Sequence, residues 1–587
     1  MRRTLVLLCL LLGAAAPLAA LDAYPKTTLA EDATATWCQY CPSAYAGLEV
    51  VHTQYNYREF ISARYYASSG SYGSPETDAA IAYYGINSFP TVVFNGQTKV
   101  VGGDPSGSTY YASGAAYLPI VKAAYFEPAP VRIEIDSFDP VSGDIQATVT
   151  MYSETDALAG DHIRFLLLED NLTSVHTHVT RDIINDTITL SGAGNTAVFT
   201  KNFSVDPSWV VANLHAVVFV QRAADKEVLQ AVSTFLEPDY SVRAMMPFDR
   251  VMVGPSSPGP PSPPLTIMNV GLADTYTIEL IVDSAPAGWT ASYWDDQGGH
   301  HTGSWTFALG LEESTEFSLD VAPSSPGYMK FHLEISSPNL TTPLIIPFTY
   351  LTDDLDVLIV DDDGAEDYES YYTAALDTLG LTYGVWDLSA GKLTDEVLQA
   401  YSLLIWQVGL SYPTLDADDR AYLTQHLDNG GRLFLTGQEI GWELADPASS
   451  VDPTWYHDAL HANYIRDDTN ILYLNGVAGD PITDGLTLHI AGGDGANNQT
   501  WPDEIAPRDG DATAILNYQG DGVGGIRVTD SGSGARIVYL GFGYEAIDNP
   551  QDRAALLGAA LDWMGVNDLF TDGFESGDTS RWSITVP

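Results

Sequence analysis

Cysteine is nearly absent: three residues in 587, Cys9, Cys38 and Cys41. An exported chain stapled by disulfides would carry several pairs closing long loops, because a longer loop removes more unfolded-state entropy, so that framework is excluded. Basic residues are scarce as well. Lys+Arg number 25 against 77 Asp+Glu, a formal charge of −52, which excludes a nucleic-acid binder driven by phosphate neutralisation. Charged residues make up only 17% and hydrophobic ones 45%, so the imbalance comes from missing cations rather than an acidic tail, and most of the chain is expected to fold. Also missing, beyond the N-terminus, is any run of roughly 18 apolar residues, so no transmembrane helix is expected.

What is present begins with Met1-Arg2-Arg3, the apolar run Leu5 to Leu12, and a small-residue exit through Ala14-Ala15-Ala16 to Ala19-Ala20. That order reads as a secretory leader over 1–20, and the mature protein is expected in the periplasm, on the outer surface or released. At roughly 100 to 200 residues per domain, the length predicts three to five domains.

Cys38 and Cys41 form one Cys-x-x-Cys, within Trp37-Cys38-Gln39-Tyr40-Cys41-Pro42. A two-residue loop stabilises little, so the pair admits three readings: a redox couple, an inert local disulfide, or half of a zinc site. In the redox reading Cys38, at the N-terminus of a helix starting near Cys41, becomes a thiolate held by the helix dipole, and Cys41 resolves.

The surrounding residues extend the pattern. Thr27 to Ala35 reads as a strand leading to the motif, Ser43 to Tyr55 as a helix, Phe60 to Tyr66 as a strand and Pro75 to Tyr84 as a helix ended by Gly85. Ile86-Asn87-Ser88-Phe89-Pro90-Thr91 follows. With Trp37 and with Asp32 six residues before Cys38, this stretch resembles the thioredoxin superfamily. The resemblance implies that Asp32 is the buried acid assisting proton transfer. It also implies that Pro90 is cis beside the disulfide, and that Trp37 and Phe89 line the substrate groove. It further implies that protein thiols or disulfides are the partners and that no cofactor is required. Gln39-Tyr40 replaces the usual Gly-Pro between the cysteines, which leaves the direction of exchange open.

Beyond Glu127-Pro128-Ala129-Pro130, apolar residues alternate at period two, as in Val131, Ile133, Ile135 and Ile163, Phe165, Leu167, predicting an antiparallel sandwich. This part, with Phe219-Val220-Gln221 and Lys226 to Gln230, is similar to the region after the thioredoxin domain in a bacterial envelope family named for a 28-kilodalton outer-membrane protein. His176-Thr177-His178 admits a metal reading through its i, i+2 spacing and a plainer one as exposed strand residues. Six of the ten residues at 255–264 are proline, an extended linker, and further alternation around it predicts a second, immunoglobulin-like sandwich.

From Asp356 the pattern changes to buried strands alternating with helices, including Val357 to Val360, Leu403 to Trp406 and Arg432 to Thr436, which predicts a doubly wound parallel sheet. This segment resembles the class I glutamine amidotransferase-like fold. Where active members carry a Gly-x-Cys-x-Gly elbow, this chain has Gly437-Gln438-Glu439-Ile440-Gly441, so that family's thiol chemistry is excluded, and Glu439 is left as a candidate base. Asp361 and Asp363 sit at the end of the first strand, where an oxygen-only ligand set suits Ca²⁺ or where a solvated loop simply caps the next helix. His457 and His461, one helical turn apart, lack the Glu of a zinc protease.

The expected fold is therefore multidomain α/β plus β. It comprises a thioredoxin-like domain over 22–126, a β-sandwich over 127–237, an immunoglobulin-like sandwich over 238–353, an amidotransferase-like α/β domain over 354–566 and a tail over 567–587. The expected function is exported thiol–disulfide exchange, with a non-catalytic surface binding protein carrying a static disulfide as the alternative.

Overall fold

The computed structural model describes residues 23–566 apart from 104–108, 174–175, 236–237, 365, 389–392 and 521. The leader expected over 1–20 and the tail over 567–587 lie outside the described residues. The chain divides into two units, 1–112 with 124–237 and 113–123 with 238–587.

In the first unit the strands Thr28–Thr34 and Phe60–Tyr66 run parallel, and the helix Cys41–Gln54 supplies the crossover that parallel strands require. Ser74 starts the next helix, Pro75–Tyr83. Its side chain accepts from the Thr77 N–H while Thr77 Oγ1 accepts from the Ser74 N–H. The sheet does not stop at the proline-rich boundary near residue 127. Val179 pairs in parallel with Arg64, so one eight-stranded sheet runs Val228–Ser233, Leu214–Gln221, Ala157–Glu169, Val179–Ser191, Phe60–Tyr66, Thr28–Thr34, Thr91–Phe94, Thr98–Val101. The segments 22–126 and 127–237 thus share a sheet.

That continuity explains the burial. One face of the sheet packs Phe165, Leu167, Val218 and Val220 against Ile133 and Val149 of a three-stranded sheet. On the other face Leu166, Leu168, Val217 and Phe219 join Leu29, Ile61 and Tyr65. Strands covered on both sides become continuous apolar runs rather than alternating ones, and Phe165 to Leu168 are all buried.

The second unit contains two five-stranded β-sheets within 242–352. Its strand Tyr328–Ser336 alternates strictly, with Met329, Phe331, Leu333 and Ile335 buried. After it come five parallel strands in the order Tyr383–Asp387, Val357–Asp361, Leu403–Gln407, Arg432–Thr436, Arg536–Leu540. The sheet then continues antiparallel through Val523–Thr529, Ala512–Tyr518, Tyr473–Gly476 and Thr487–His489, so the expected wholly parallel sheet is instead a mixed one. Separate apolar clusters cover its two faces. Among the described residues no helix is long and apolar enough to cross a membrane.

Candidate functional site

Cys38 and Cys41 are joined by a disulfide. Cys41 is the first residue of a 14-residue helix whose N-cap, Tyr40, makes no side-chain capping bond and whose first turn carries no acid. The uncapped end leaves amide donors for the motif itself: the Cys41 N–H donates to Cys38 Sγ at 3.1 Å. Cys41 is 6% exposed, whereas Cys38 is half-buried. Chemically, the arrangement offers an accessible sulfur beside the positive end of a helix dipole, with a second sulfur behind it.

Around the motif, Trp37 is 61% exposed and its ring meets Phe89 edge-on at 5.9 Å, with Nε1 donating to Ser69 Oγ at 3.2 Å. The Phe89–Pro90 bond is cis, and Pro90 is buried. Gly103 closes the corner. A Cβ there would come within 2.3 Å of the Tyr40 carbonyl and 3.1 Å of Pro90 Cγ, so only glycine lets the chain pass between the motif turn and Pro90. Trp37, Cys38, Phe89 and Pro90 are thereby gathered at one edge of the unit.

Asp32 is fully buried in the strand preceding the motif, and its Oδ1 has no hydrogen-bond partner. Sheet register places Arg64 opposite it, with Nε 3.7 Å from Asp32 Oδ2. Arg64 also reaches Glu49 Oε1 at 3.4 Å and stacks over the Tyr45 ring at 3.9 Å. Burial pushes the Asp32 carboxyl up to about 6 even though the Arg64 cation pulls it down. Because that value lies above the ordinary 3.8, the stabilising contribution of the protonated acid is complete below pH 3.8 and is lost as pH rises through 6. It amounts to about 3 kcal/mol. Asp32→Asn is therefore expected to be more stable than wild type at pH 8 by up to about 3 kcal/mol, with the gap narrowing as pH falls below 6. Urea unfolding at a series of pH values measures it, and an advantage independent of pH would contradict the assignment.

The other candidates are more dispersed. Asp361, Asp363 and Glu369 bring carboxylate oxygens within 4.8 Å of one another at the carboxyl ends of the parallel strands. Gln407 Nε2 donates to both aspartates, and burial pushes both acids upward. Glu439 stands at the N-cap position of the six-residue helix Ile440–Ala445 but makes no side-chain capping bond. Its carboxyl is pushed up to about 8 by burial first and then by Asp467, Glu443 and Asp468. His457 and His461 turn to different partners, the Ala462 carbonyl and Asp509. His176 and His178 also diverge. His176 Nδ1 meets Tyr66 Oη at 2.7 Å, whereas His178 is buried beside Asp170, so the reading of both as exposed strand residues does not hold.

Sequence reasoning missed Arg64, Asp170 and His215. The signal for His215 was a single imidazole in Leu214–Gln221, a strand otherwise apolar until its last residue and buried throughout.

No family model matches the chain, and no curated protein matches it. Among solved structures it is similar to HBP35 of Porphyromonas gingivalis, at 12% identity and a TM-score of 0.30 over 56% of this chain and 99% of that one. It is also similar to a PapD-like domain of human CEP192 (14% identity, TM-score 0.14, 21% of this chain and 90% of that one). A third is WR4, a C. elegans MSP family member (8% identity, TM-score 0.13, 20% and 99%). Likenesses at this level assign neither fold nor function.

Proposed function

We propose that the chain is an exported thiol–disulfide oxidoreductase-like protein acting on protein thiols or disulfides of the envelope. The observation that carries this reading is the Cys38–Cys41 disulfide at the uncapped start of a helix, with Cys38 half-buried and Cys41 buried. In the reducing direction the Cys38 thiolate attacks a substrate disulfide, forming a mixed disulfide and expelling one substrate thiolate. Cys41, deprotonated, then attacks the Cys38 sulfur. The intramolecular disulfide forms, the second substrate thiolate leaves, and two electrons have passed to the substrate. The oxidising direction is the reverse. Asp32 would take the Cys41 proton, and Trp37, Phe89 and Pro90 would form the surface against which the substrate lies. In this reading the α/β region of the second unit takes no part in the exchange, and it can carry no thiol chemistry, since no cysteine follows Cys41.

The test is the reduction potential of the pair, titrated against glutathione buffers on the whole exported chain, because Phe60–Tyr66 is an interior strand of a sheet continuing to Ser233. A value between roughly −270 and −120 mV, the span of dithiol carriers, is expected. A disulfide that stays closed throughout that span would leave a static module in a binding protein.

A further inference from the structure

Asp170, His178 and His215 converge in the first unit and have no part in the functions assigned above. They come from three neighbouring strands of the eight-stranded sheet: Asp170 just after Ala157–Glu169, His178 just before Val179–Ser191, and His215 within Leu214–Gln221. Their relative exposures are 9%, 4% and 2%, so each is buried. One ligand atom from each lies within 4.8 Å of the others.

The carboxylate is held before any ion is considered. Asp170 Oδ1 accepts from Thr177 Oγ1 at 2.9 Å and from the His178 N–H at 2.7 Å. Asp170 Oδ2 is left facing His215 Nδ1 at 3.2 Å, while His178 Nδ1 stands 3.3 Å from Oδ1. Both Nδ1 atoms stand within ion-pair distance of the carboxylate, and neither meets strict hydrogen-bond geometry with any partner. Two donor atoms each about 2.1 Å from one tetrahedral ion lie about 3.4 Å apart; Asp170 Oδ2 and His215 Nδ1, at 3.2 Å, stand close to that spacing.

The rings are also fixed from behind. His178 stacks on His52 at 5.1 Å, and His215 lies against Phe235 at 4.4 Å. Glu49 Oε1 is 4.0 Å from His178 Nε2, on the side of the ring away from Asp170, where metal-bound imidazoles commonly find a carboxylate. His178 itself has φ +52°, a left-handed conformation that a side chain adopts at a cost and that this surrounding structure imposes.

We propose that Asp170, His178 and His215 form a binding site for a divalent ion of the zinc class, with Asp170 Oδ2 and the two Nδ1 atoms as ligands. Mixed imidazole and carboxylate donors suit Zn²⁺ and Co²⁺, whereas Ca²⁺ takes oxygen alone. Three protein ligands leave one position open. The ion would tie three strands together at the end of the sheet where Val179 meets Arg64.

The experiment uses the exported chain with its disulfide kept oxidised, so that Cys38 and Cys41 offer no thiolate. After treatment with a chelator and its removal, Co²⁺ is titrated and then displaced by Zn²⁺. One ion per chain, with the visible d–d absorption of four-coordinate cobalt and loss of that band on adding Zn²⁺, is expected. His178→Gln or His215→Gln should abolish the band. Thr177→Val, which removes only a support of the carboxylate, should weaken Co²⁺ by about 10- to 100-fold and keeps the test open if the ligand variants do not fold. Absence of the band in wild type would overturn the site. So would a band unchanged in His215→Gln, which would place the ion on other residues such as His461 with Asp509 and Asp511.

Discussion

Cys41→Ser is expected to accumulate mixed disulfides with envelope proteins, and Cys38→Ser is not. The difference follows from exposure and from the helix end. Cys38 is the sulfur a partner can reach and the one that receives the Cys41 N–H, so its thiolate is the stabilised nucleophile. Cys41 is buried behind it and is positioned to attack Cys38 rather than an external disulfide. Well-oriented intramolecular groups reach effective concentrations on the order of 10⁵ M, so losing Cys41 lengthens the life of each adduct by orders of magnitude against millimolar free thiol. Non-reducing gels of cells expressing each variant, followed by mass spectrometry of the adducts, make the comparison. Equal trapping by both variants would remove the assignment of roles, and trapping by Cys38→Ser alone would reverse it.

Arg64→Met is expected to destabilise the first unit by about 3–5 kcal/mol at pH 8, because it leaves the buried Asp32 carboxylate without its cation. The same substitution should cost far less in the Asp32→Asn background than in wild type, since no ionised acid on the neighbouring strand then faces the substituted side chain. Glu49 is partly exposed and tolerates the change through solvent. Cys41 supplies a local probe: in the Cys38→Ser background its alkylation in urea reports opening of this unit and not of the other. Additive effects of the two substitutions would mean that the pair is not energetically coupled.

Much of this arrangement was legible in the sequence where local chemistry decides it. The strands Phe60–Tyr66 and Arg432–Thr436 lie where the sequence predicted them, and the helix expected over Pro75 to Tyr84 is found over Pro75–Tyr83. Other features depended on neighbours far along the chain. Asp32 faces Arg64 only because two parallel strands adopt one register, and His215 meets Asp170 only because Leu214–Gln221 lies beside Ala157–Glu169. The antiparallel part of the second unit was hidden for a different reason. Its strands, such as Thr487–His489 and Tyr473–Gly476, are short and separated by Asp- and Gly-rich loops, and so show little periodicity.

The shared sheet sets an order on how the surroundings of the Cys38–Cys41 motif can form. Phe60–Tyr66 gains one of its flanking strands only from Val179–Ser191, and the covering of Leu29 and Ile61 is completed by Leu166 and Val217. Pairing across such sequence separations raises contact order and slows folding. If the chain is exported as proposed, emerging N-terminus first, it presents Cys38 and Cys41 to an oxidising compartment well before the strands that enclose them have crossed. The motif spends that interval as an open dithiol on a nascent chain, which makes the translocating protein itself a client for the disulfide-forming machinery it is proposed to join.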